Sequence, residues 1–324
     1  MPEPSTNDTN SARPPTLDHV VGQGQTVAKL RVAVAAAWAD TKPLDHVLLT
    51  GPAGVGKTML AKVLAAEMAG EFHEAMGQSL WSLASLNGFF LSAESPNAVL
   101  FIDEAHMASV DAQTAMLRGI DDRALFVSDP RSDQATRIDL VPFTLILATT
   151  DPQRLLPPLR DRMKLVCQLG RYGLTDLAGL MKQKAAQLGW RIDEAALPSI
   201  AQRAMGTPRL ALRLLESARR TARAGGDEAI SAAHIERTVA LEGLDALGLG
   251  ADEQRYLSIL SEASVPVQLA VLASRLGQPP EAVARVIESN LLWLGLVERG
   301  ERGRVLTAKG IQHVRGVGGE PSIF

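Results

Sequence analysis

Cysteine is nearly absent from this 324-residue chain. A lone Cys167 cannot close an intramolecular disulfide, and no paired Cys or Cys/His spacing offers a structural zinc site. A reducing compartment fits that usage. Aromatic residues are also scarce, at 4% of the chain, and Trp190 and Trp293 read as core residues, which disfavours a binding mode built on stacking single-stranded bases. No apolar run reaches about 18 residues, the length a membrane-spanning helix requires. Residues 1–16 are rich in Pro, Ser, Thr and Asn and lack the basic start and apolar core of a signal peptide. These absences lead to the expectation of a cytoplasmic protein with no membrane partner. Charge of one sign is lacking too: 33 Lys and Arg against 36 Asp and Glu leave a net charge of −3. That excludes a uniformly basic nucleic-acid coat and leaves only local patches to be sought.

The content that remains is globular. With 46% hydrophobic residues the chain can bury a substantial core, and its length predicts two or three domains. From Asp18 to Thr150, helical patterns alternate with the apolar runs Val47–Thr50, Ala98–Ile102 and Phe143–Thr149, the signature of a parallel α/β sheet. From Thr175 to about Gly243 the pattern changes to Ala, Leu and Arg at helical spacing, broken at Gly189, at Gly206–Pro208 and at Gly225–Gly226, and predicts a small helical domain. After the glycines 248 and 250 come three helical segments, Asp252–Glu262, Val267–Leu276 and Pro280–Leu294. They are followed by two short strands, Leu296–Glu298 and Val305–Thr307, around an Arg/Gly turn. Three helices closed by a hairpin outline a winged helix. The boundaries this predicts are a disordered tail over 1–16, a large α/β domain over 17–172, a small helical domain over 173–246, a winged helix over 247–317 and a tail over 318–324.

The strongest chemical signal is Gly51-Pro-Ala-Gly-Val-Gly-Lys-Thr58, which satisfies G-x-x-x-x-G-K-[ST] directly after an apolar strand and directly before a helical stretch. In that context Gly51, Gly54 and Gly56 let the backbone approach an anion closely. Successive N–H groups and the helix N-terminus hold phosphates, Lys57 adds positive charge near the terminal phosphate, and Thr58 supplies an oxygen for Mg²⁺. Ala98-Val-Leu-Phe-Ile-Asp-Glu104 then puts two carboxylates at a strand end; Asp103 can hold Mg²⁺ through water while Glu104 polarises the attacking water. His106 is equally well read as a satisfied polar residue beside the site.

The third apolar strand ends in Thr149-Thr150. A Thr pair at a strand end is common without function; in this series Thr150 is favoured as the group that orients water against the γ-phosphate. Pro158-Leu-Arg-Asp-Arg162 follows, and an arginine there can stabilise transition-state charge, in a ring on the neighbouring subunit's nucleotide. Gly206-Thr-Pro-Arg209 opens a helix from which Arg209 could reach the γ-phosphate in cis. Around the expected wing, Arg299, Arg302, Arg304, Lys309 and Arg315 concentrate positive charge suited to sequence-independent phosphate contacts, partly offset by Glu298 and Glu301. A second cluster, Arg203, Arg209, Arg213, Arg219, Arg220 and Arg223, reads mainly as solvated helix faces.

This ordered set closely resembles the AAA+ ATPases and, within them, the RuvB family of Holliday-junction branch-migration motors. The residues that carry the resemblance are Leu17-Asp-His-Val-Val-Gly-Gln23, Leu44-Asp-His-Val-Leu-Leu49, Leu100-Phe-Ile-Asp-Glu-Ala-His106, Pro142-Phe-Thr-Leu-Ile146, Pro158-Leu-Arg-Asp-Arg162, Gly206-Thr-Pro-Arg209, Gly248-Leu-Gly250 and Arg302-Gly-Arg-Val305. It extends from about Arg13 to Arg315. What it implies is an AAA+ P-loop domain, a helical lid and a winged helix, assembled as a homo-oligomeric ring, expected as a hexamer, that drives duplex or four-way-junction DNA with ATP and Mg²⁺. It implies nucleotide contacts at Arg13, Gly51, Gly54, Gly56, Lys57, Thr58 and Met59, with Tyr172 and Arg209 closing over base and phosphates. Thr150 matches the first sensor, Arg209 the second, Arg162 the trans-acting finger, and Arg299 and Arg304 the DNA-contacting arginines, beside Arg302.

Departures from the family pattern are Ala53 and Val55, where Pro and Leu are usual, and Asp151, where Arg is usual. Residues 124–140 resemble the hairpin with which the family docks on its junction-binding partner RuvA. Here that hairpin is shorter and carries Ser128, Asp129, Arg131, Asp133 and Gln134, with fewer apolar side chains. Docking on a RuvA-like partner is therefore the part of the resemblance this segment weakens. Two other functions share the same parts: an ATP-dependent loader or initiator, and a nucleotide-regulated DNA-binding switch. Strand movement on a junction separates them from a motor.

Overall fold

A computed structural model describes residues 14–128 and 135–317. They form two compact units, one comprising the chain up to Leu180 with Thr207–Arg209, the other Met181–Gly206 and the chain from Leu210. No helix of the described residues is long and apolar enough to cross a membrane.

In the first unit the elements run α1 (Gly24–Ala39), β1 (Val47–Thr50), α2 (Lys57–Glu67), β2 (Phe72–Met76), α3 (Leu83–Leu91), β3 (Val99–Asp103), α4 (Val110–Asp121), β4 (Ala124–Ser128), β5 (Ala135–Asp139), β6 (Thr144–Thr149), α5 (Pro157–Arg162), β7 (Leu165–Gln168) and the start of α6 (Leu174–Gln187). Five strands make one parallel sheet in the order β2-β3-β6-β1-β7. Because helices cover both faces, the central strands are apolar without alternation: β3 buries Val99 to Ile102 and β6 buries all six of its residues. Leu49, Leu100, Phe101, Ile102 and Ile146 are each fully buried, and each such side chain contributes roughly 1.5–3 kcal/mol of transfer free energy. The order places β3, β6 and β1 side by side, so the three motif-bearing strand ends share one edge of the sheet. In open parallel sheets that carboxyl edge is where ligands bind.

His46 is held just before β1. Its Nδ1 accepts the Leu145 backbone N–H at 2.9 Å, and its ring lies 5.7 Å from that of Phe143. Burial lowers its pKa to about 4. Between pH 6.5 and 4 the unfolded chain therefore binds a proton that the folded chain refuses, so stability contributed by neutral His46 is complete above pH 6.5 and declines as the pH falls. Chemical denaturation is expected to show wild type losing on the order of 2 kcal/mol more between pH 6.5 and 4.5 than His46→Asn, whose amide accepts the same hydrogen bond without titrating. Parallel pH profiles of the two chains would remove His46 from that account.

The second unit contains the second half of α6, the two-residue strands β8 (Arg191–Ile192) and β9 (Ala229–Ile230), and the helices α7 (Leu197–Arg203), α8 (Pro208–Ala224, from Leu210) and α9 (Ala232–Leu241). After them come α10 (Ala251–Ser261), α11 (Leu269–Leu276), a turn α12 (Pro280–Ala282), a π-helical turn Val283–Glu288, α13 (Ser289–Trp293), the antiparallel hairpin β10 (Val297–Gly300) and β11 (Gly303–Leu306), and α14 (Ala308–Val317). The predicted helix Pro280–Leu294 is thus interrupted by the π turn, and α14 follows the hairpin as an additional element. Leu257, Leu272, Val283, Ile287, Leu291 and Leu296 form the core of this portion. Trp190 is buried as expected, whereas Trp293 is 47% exposed and is not a core residue.

Candidate nucleotide site

The phosphate loop leaves β1 at Gly51 and enters α2 at Lys57. Gly51, Gly54 and Gly56 have φ values of 143°, 78° and 101°, a backbone that favours glycine at each position. Space imposes the same choice. A Cβ on Gly51 would lie 2.3 Å from the Leu169 carbonyl oxygen, and one on Gly54 would lie 2.8 Å from Thr207 Cγ2 and 3.0 Å from Arg209 Cβ. Val55 is fully buried and pins the loop to the core, so its departure from the family pattern keeps an apolar anchor; Ala53 is exposed and carries no packing. Lys57 is buried. Its Nζ donates to the Gly51 and Pro52 carbonyl oxygens at 2.9 Å each, which holds the ammonium within the curl of the loop, and burial lowers its pKa.

The residues expected to carry hydrolysis form one connected chain across the strand ends. Thr58 Oγ1 donates to Asp103 Oδ2 at 3.0 Å, and Asp103 Oδ1 accepts the Glu104 N–H at 2.9 Å. Glu104 Oε2 accepts from Thr150 Oγ1 at 2.9 Å and from Thr150 N–H at 3.2 Å. Glu104 itself has φ 47°, in the left-handed region. His106, buried, sets Nδ1 at 3.2 Å from the same Glu104 oxygen and at 2.9 Å from Thr149 Oγ1. Thr149 in turn accepts the Asp151 N–H at 3.0 Å. Asp151 thus engages the site through its backbone.

Read from the sequence, His106 and Thr149 carry little weight. Here they form a buried bracket behind Glu104 and Thr150. The signal available was spacing: a short 3₁₀ turn after Glu104 carries His106 back toward the sheet, where the next strand ends in Thr149.

Other expected nucleotide contacts surround Gly56. The position of a Cβ on Gly56 lies 3.5 Å from Met59 Cε and 3.9 Å from the Tyr172 hydroxyl oxygen. Tyr172 is buried and its pKa is pushed up to about 12 by that burial. A Cβ on Gly22, at φ 74°, would fall 2.6 Å from Tyr172 Cε1, so Gly22 is the close approach that seats the ring. The Arg209 N–H donates to the Gly54 carbonyl oxygen at 3.3 Å while its side chain stays exposed. Arg162, at the C-terminal end of α5, is exposed and forms an ion pair with Asp121 of α4, its Nε lying 2.8 and 3.1 Å from the two carboxylate oxygens. Arg13 lies outside the described residues, as do Asp129, Arg131, Asp133 and Gln134 of the expected docking hairpin.

The donors fit a hard divalent cation, since a hydroxyl and a carboxylate, both oxygen, meet beside a glycine-built cradle. Among the described residues no group of three or more His, Cys, Asp or Glu side chains could hold a metal by itself. Thr58 and Asp103 would therefore hold Mg²⁺ together with phosphate oxygens and water.

In the second unit, the expected DNA-contacting arginines occupy the hairpin. Arg299 and Arg304 sit directly opposite each other on β10 and β11, and Arg302 is exposed at the turn. Arg299 Nη2 and Arg304 Nε each lie 2.7 Å from an oxygen of the fully buried Glu288.

Known proteins share this arrangement throughout. Three family models match in succession: the Holliday junction DNA helicase RuvB P-loop domain over residues 12–169, the RuvB AAA lid domain over 172–245 and the RuvB C-terminal winged helix domain over 246–315. The Holliday junction branch migration complex subunit RuvB of Prochlorococcus marinus is 38% identical over 307 residues, covering 93% of this chain and 87% of that relative. The solved structure of the Thermotoga maritima RuvB Holliday junction branch migration motor superposes with a TM-score of 0.83 at 32% identity, covering 94% of this chain and 98% of the other. The ORC2 protein of Aeropyrum pernix, 17% identical with a TM-score of 0.56, shares the fold. With all three models in register along one polypeptide, this chain belongs to the RuvB family.

Proposed function

We propose that this chain hydrolyses ATP between the protomers of a homo-oligomeric ring, a hexamer by the family resemblance, and uses the cycle to drive duplex DNA through Holliday-junction branch migration. The observation that carries the reading is the unbroken Thr58–Asp103–Glu104–Thr150 hydrogen-bond chain beside the phosphate loop. It joins a cation-holding pair to a carboxylate already oriented as a base. Lys57 and the loop N–H groups bind the phosphates, and Thr58 and Asp103 hold Mg²⁺, which when bound neutralises phosphate charge. Glu104 takes the proton of the attacking water, and Thr150 with His106 fixes the carboxylate that does so. Met59 and Tyr172 border the nucleotide near Gly56, Arg209 reaches the γ-phosphate in cis, and Arg162 serves the neighbouring protomer.

On the DNA side, Arg299, Arg302 and Arg304 give the wing its cationic face, which suits backbone contacts that do not depend on sequence. The domain limits that go with this reading are 17–172, 173–246 and 247–317. The hairpin β4–β5 is the site for a RuvA-like partner. Ala124 and Leu125 anchor it to the core, and Phe126 is 42% exposed with the Arg118 guanidinium 6.0 Å above its ring.

The experiment that tests the function is branch migration of a synthetic four-way junction by the purified chain, with Mg·ATP, with and without a RuvA-like partner. ATP-dependent conversion of the junction to duplex products is expected, and Lys57→Ala should abolish it. ATP turnover without strand movement under every condition would replace the motor by a loader or a nucleotide switch.

A further inference from the structure

The wing presents an electrostatic problem. In the antiparallel register Arg299 faces Arg304, and like charges directly opposite across a strand pair repel. The solution comes from below the hairpin, where Glu288, the last residue of the π turn, is 0% exposed and receives both guanidiniums at 2.7 Å. The Tyr256 hydroxyl donates to its Oε1 at 3.1 Å. Burial by itself would push the Glu288 carboxyl up, but the two guanidiniums outweigh it and hold the group below its usual range.

The two arginines are not equivalent. The Arg304 side chain is 20% exposed and that of Arg299 is 49% exposed. Arg304 is further fixed by its backbone, which exchanges hydrogen bonds of 2.8 and 3.0 Å with Val267. Its neighbour Gly303, at φ 144°, passes so close that a Cβ would lie 2.6 Å from the Val267 carbonyl oxygen. Arg302, at the turn, is exposed and makes no side-chain hydrogen bond or ion pair with any described residue.

We propose that Glu288 is a positioning residue for DNA: by binding Arg299 and Arg304 from the core side it fixes the hairpin so that Arg302 and the outer nitrogens of Arg299 meet the phosphates of a duplex. Arg304, the less exposed of the two, is the more firmly held member of the pair. The inference rests on the reading of the wing as a duplex-binding surface, and the test separates the two.

The sign of one substitution discriminates. Glu288→Gln removes a negative charge beneath the wing, so a wing that acts by charge alone would bind DNA more tightly. A wing that depends on position binds more weakly. Glu288→Asp keeps the charge but retracts it, which charge counting predicts to be neutral and positioning predicts to be harmful. The measurement is fluorescence anisotropy of the full chain with a labelled duplex across a salt series, with circular dichroism to verify the helices. Arg302→Ala is expected to weaken binding and lower the salt slope by about one. Glu288→Gln and Glu288→Asp are each expected to weaken binding about three- to tenfold, roughly 0.7–1.4 kcal/mol at about 1.4 kcal/mol per tenfold. Should Glu288→Gln melt the winged helix, Glu288→Asp carries the test. If Arg302→Ala leaves binding unchanged, the wing is not the duplex-binding surface. If Arg302→Ala weakens binding while Glu288→Gln strengthens it or Glu288→Asp leaves it unchanged, the positioning role is overturned and the duplex-binding surface stands.

Discussion

Glu104→Gln is expected to bind Mg·ATP within about twofold of wild type and to turn it over about 10²- to 10⁴-fold more slowly, the range that general-base catalysis contributes. The amide keeps the size of the side chain and an oxygen able to accept from Thr150 Oγ1 and N–H, which sit 2.9 and 3.2 Å from Glu104 Oε2. It loses the charge that draws a proton from water. The phosphate loop, the Lys57 ammonium and the Thr58–Asp103 pair do not depend on that charge for their places, so affinity survives while chemistry fails. Nucleotide binding by fluorescence and phosphate release by a coupled assay would be compared on the same preparation. A loss of turnover below tenfold would assign the base elsewhere; a parallel loss of binding would make Glu104 part of the loop's architecture.

The second large effect concerns Arg162. Its guanidinium is exposed and held by Asp121 of its own chain, an arrangement that presents the group at the surface beyond α5. Arginines delivered to a neighbour's nucleotide accelerate phosphoryl transfer by roughly 10³- to 10⁵-fold. Arg162→Ala should therefore lower turnover by at least about 10²-fold with ATP binding intact. The distinguishing result comes from mixing. Lys57→Ala chains cannot bind ATP productively but carry Arg162, and Arg162→Ala chains do the reverse. In rings mixed at random from equal parts, about one interface in four joins an intact loop to an intact arginine, so activity should reappear on mixing two inactive proteins. Confirmed co-assembly without recovery would sink the shared site.

Much of the first unit was legible because its strands and its chemistry announce themselves in the same places. A parallel strand buried on both faces reads as an unbroken apolar run, and each of the three runs ends on a motif, so Val47–Thr50, Val99–Asp103 and Thr144–Thr149 lie where the pattern predicts to within a residue at most boundaries. What could not be read was the chain folded back against those motifs. The approach of Thr207 and Arg209 to Gly54 joins residues more than 150 positions apart; the resemblance implied Arg209 there, but local spacing by itself carries no record of it. The bracket of His106 and Thr149, by contrast, left a trace in spacing, since both stand at or just beyond the ends of adjacent strands.

The winged helix was legible as an outline and less so in detail. The π turn at Val283–Glu288 keeps the apolar periodicity that predicts one helix, because a single wider turn shifts register without changing composition. Glu288, in an amphipathic stretch, reads as an ordinary solvated acid. Only its placement beneath Arg299 and Arg304 marks it as buried. Trp293 departs in the opposite direction, since a large apolar residue at the end of α13 reads as core and is half exposed.

The backbone at Glu104 is left-handed, at φ 47°. A residue other than glycine incurs about 1–2 kcal/mol in that conformation, and the hydrogen bond from its N–H to Asp103 Oδ1 offsets only part of that. Glycine would be the thermodynamically easier occupant of the position and would be chemically inert. The residue proposed as the base is thus kept at a place where folding alone would select against it, a point of local frustration between what the backbone prefers and what the proposed reaction requires.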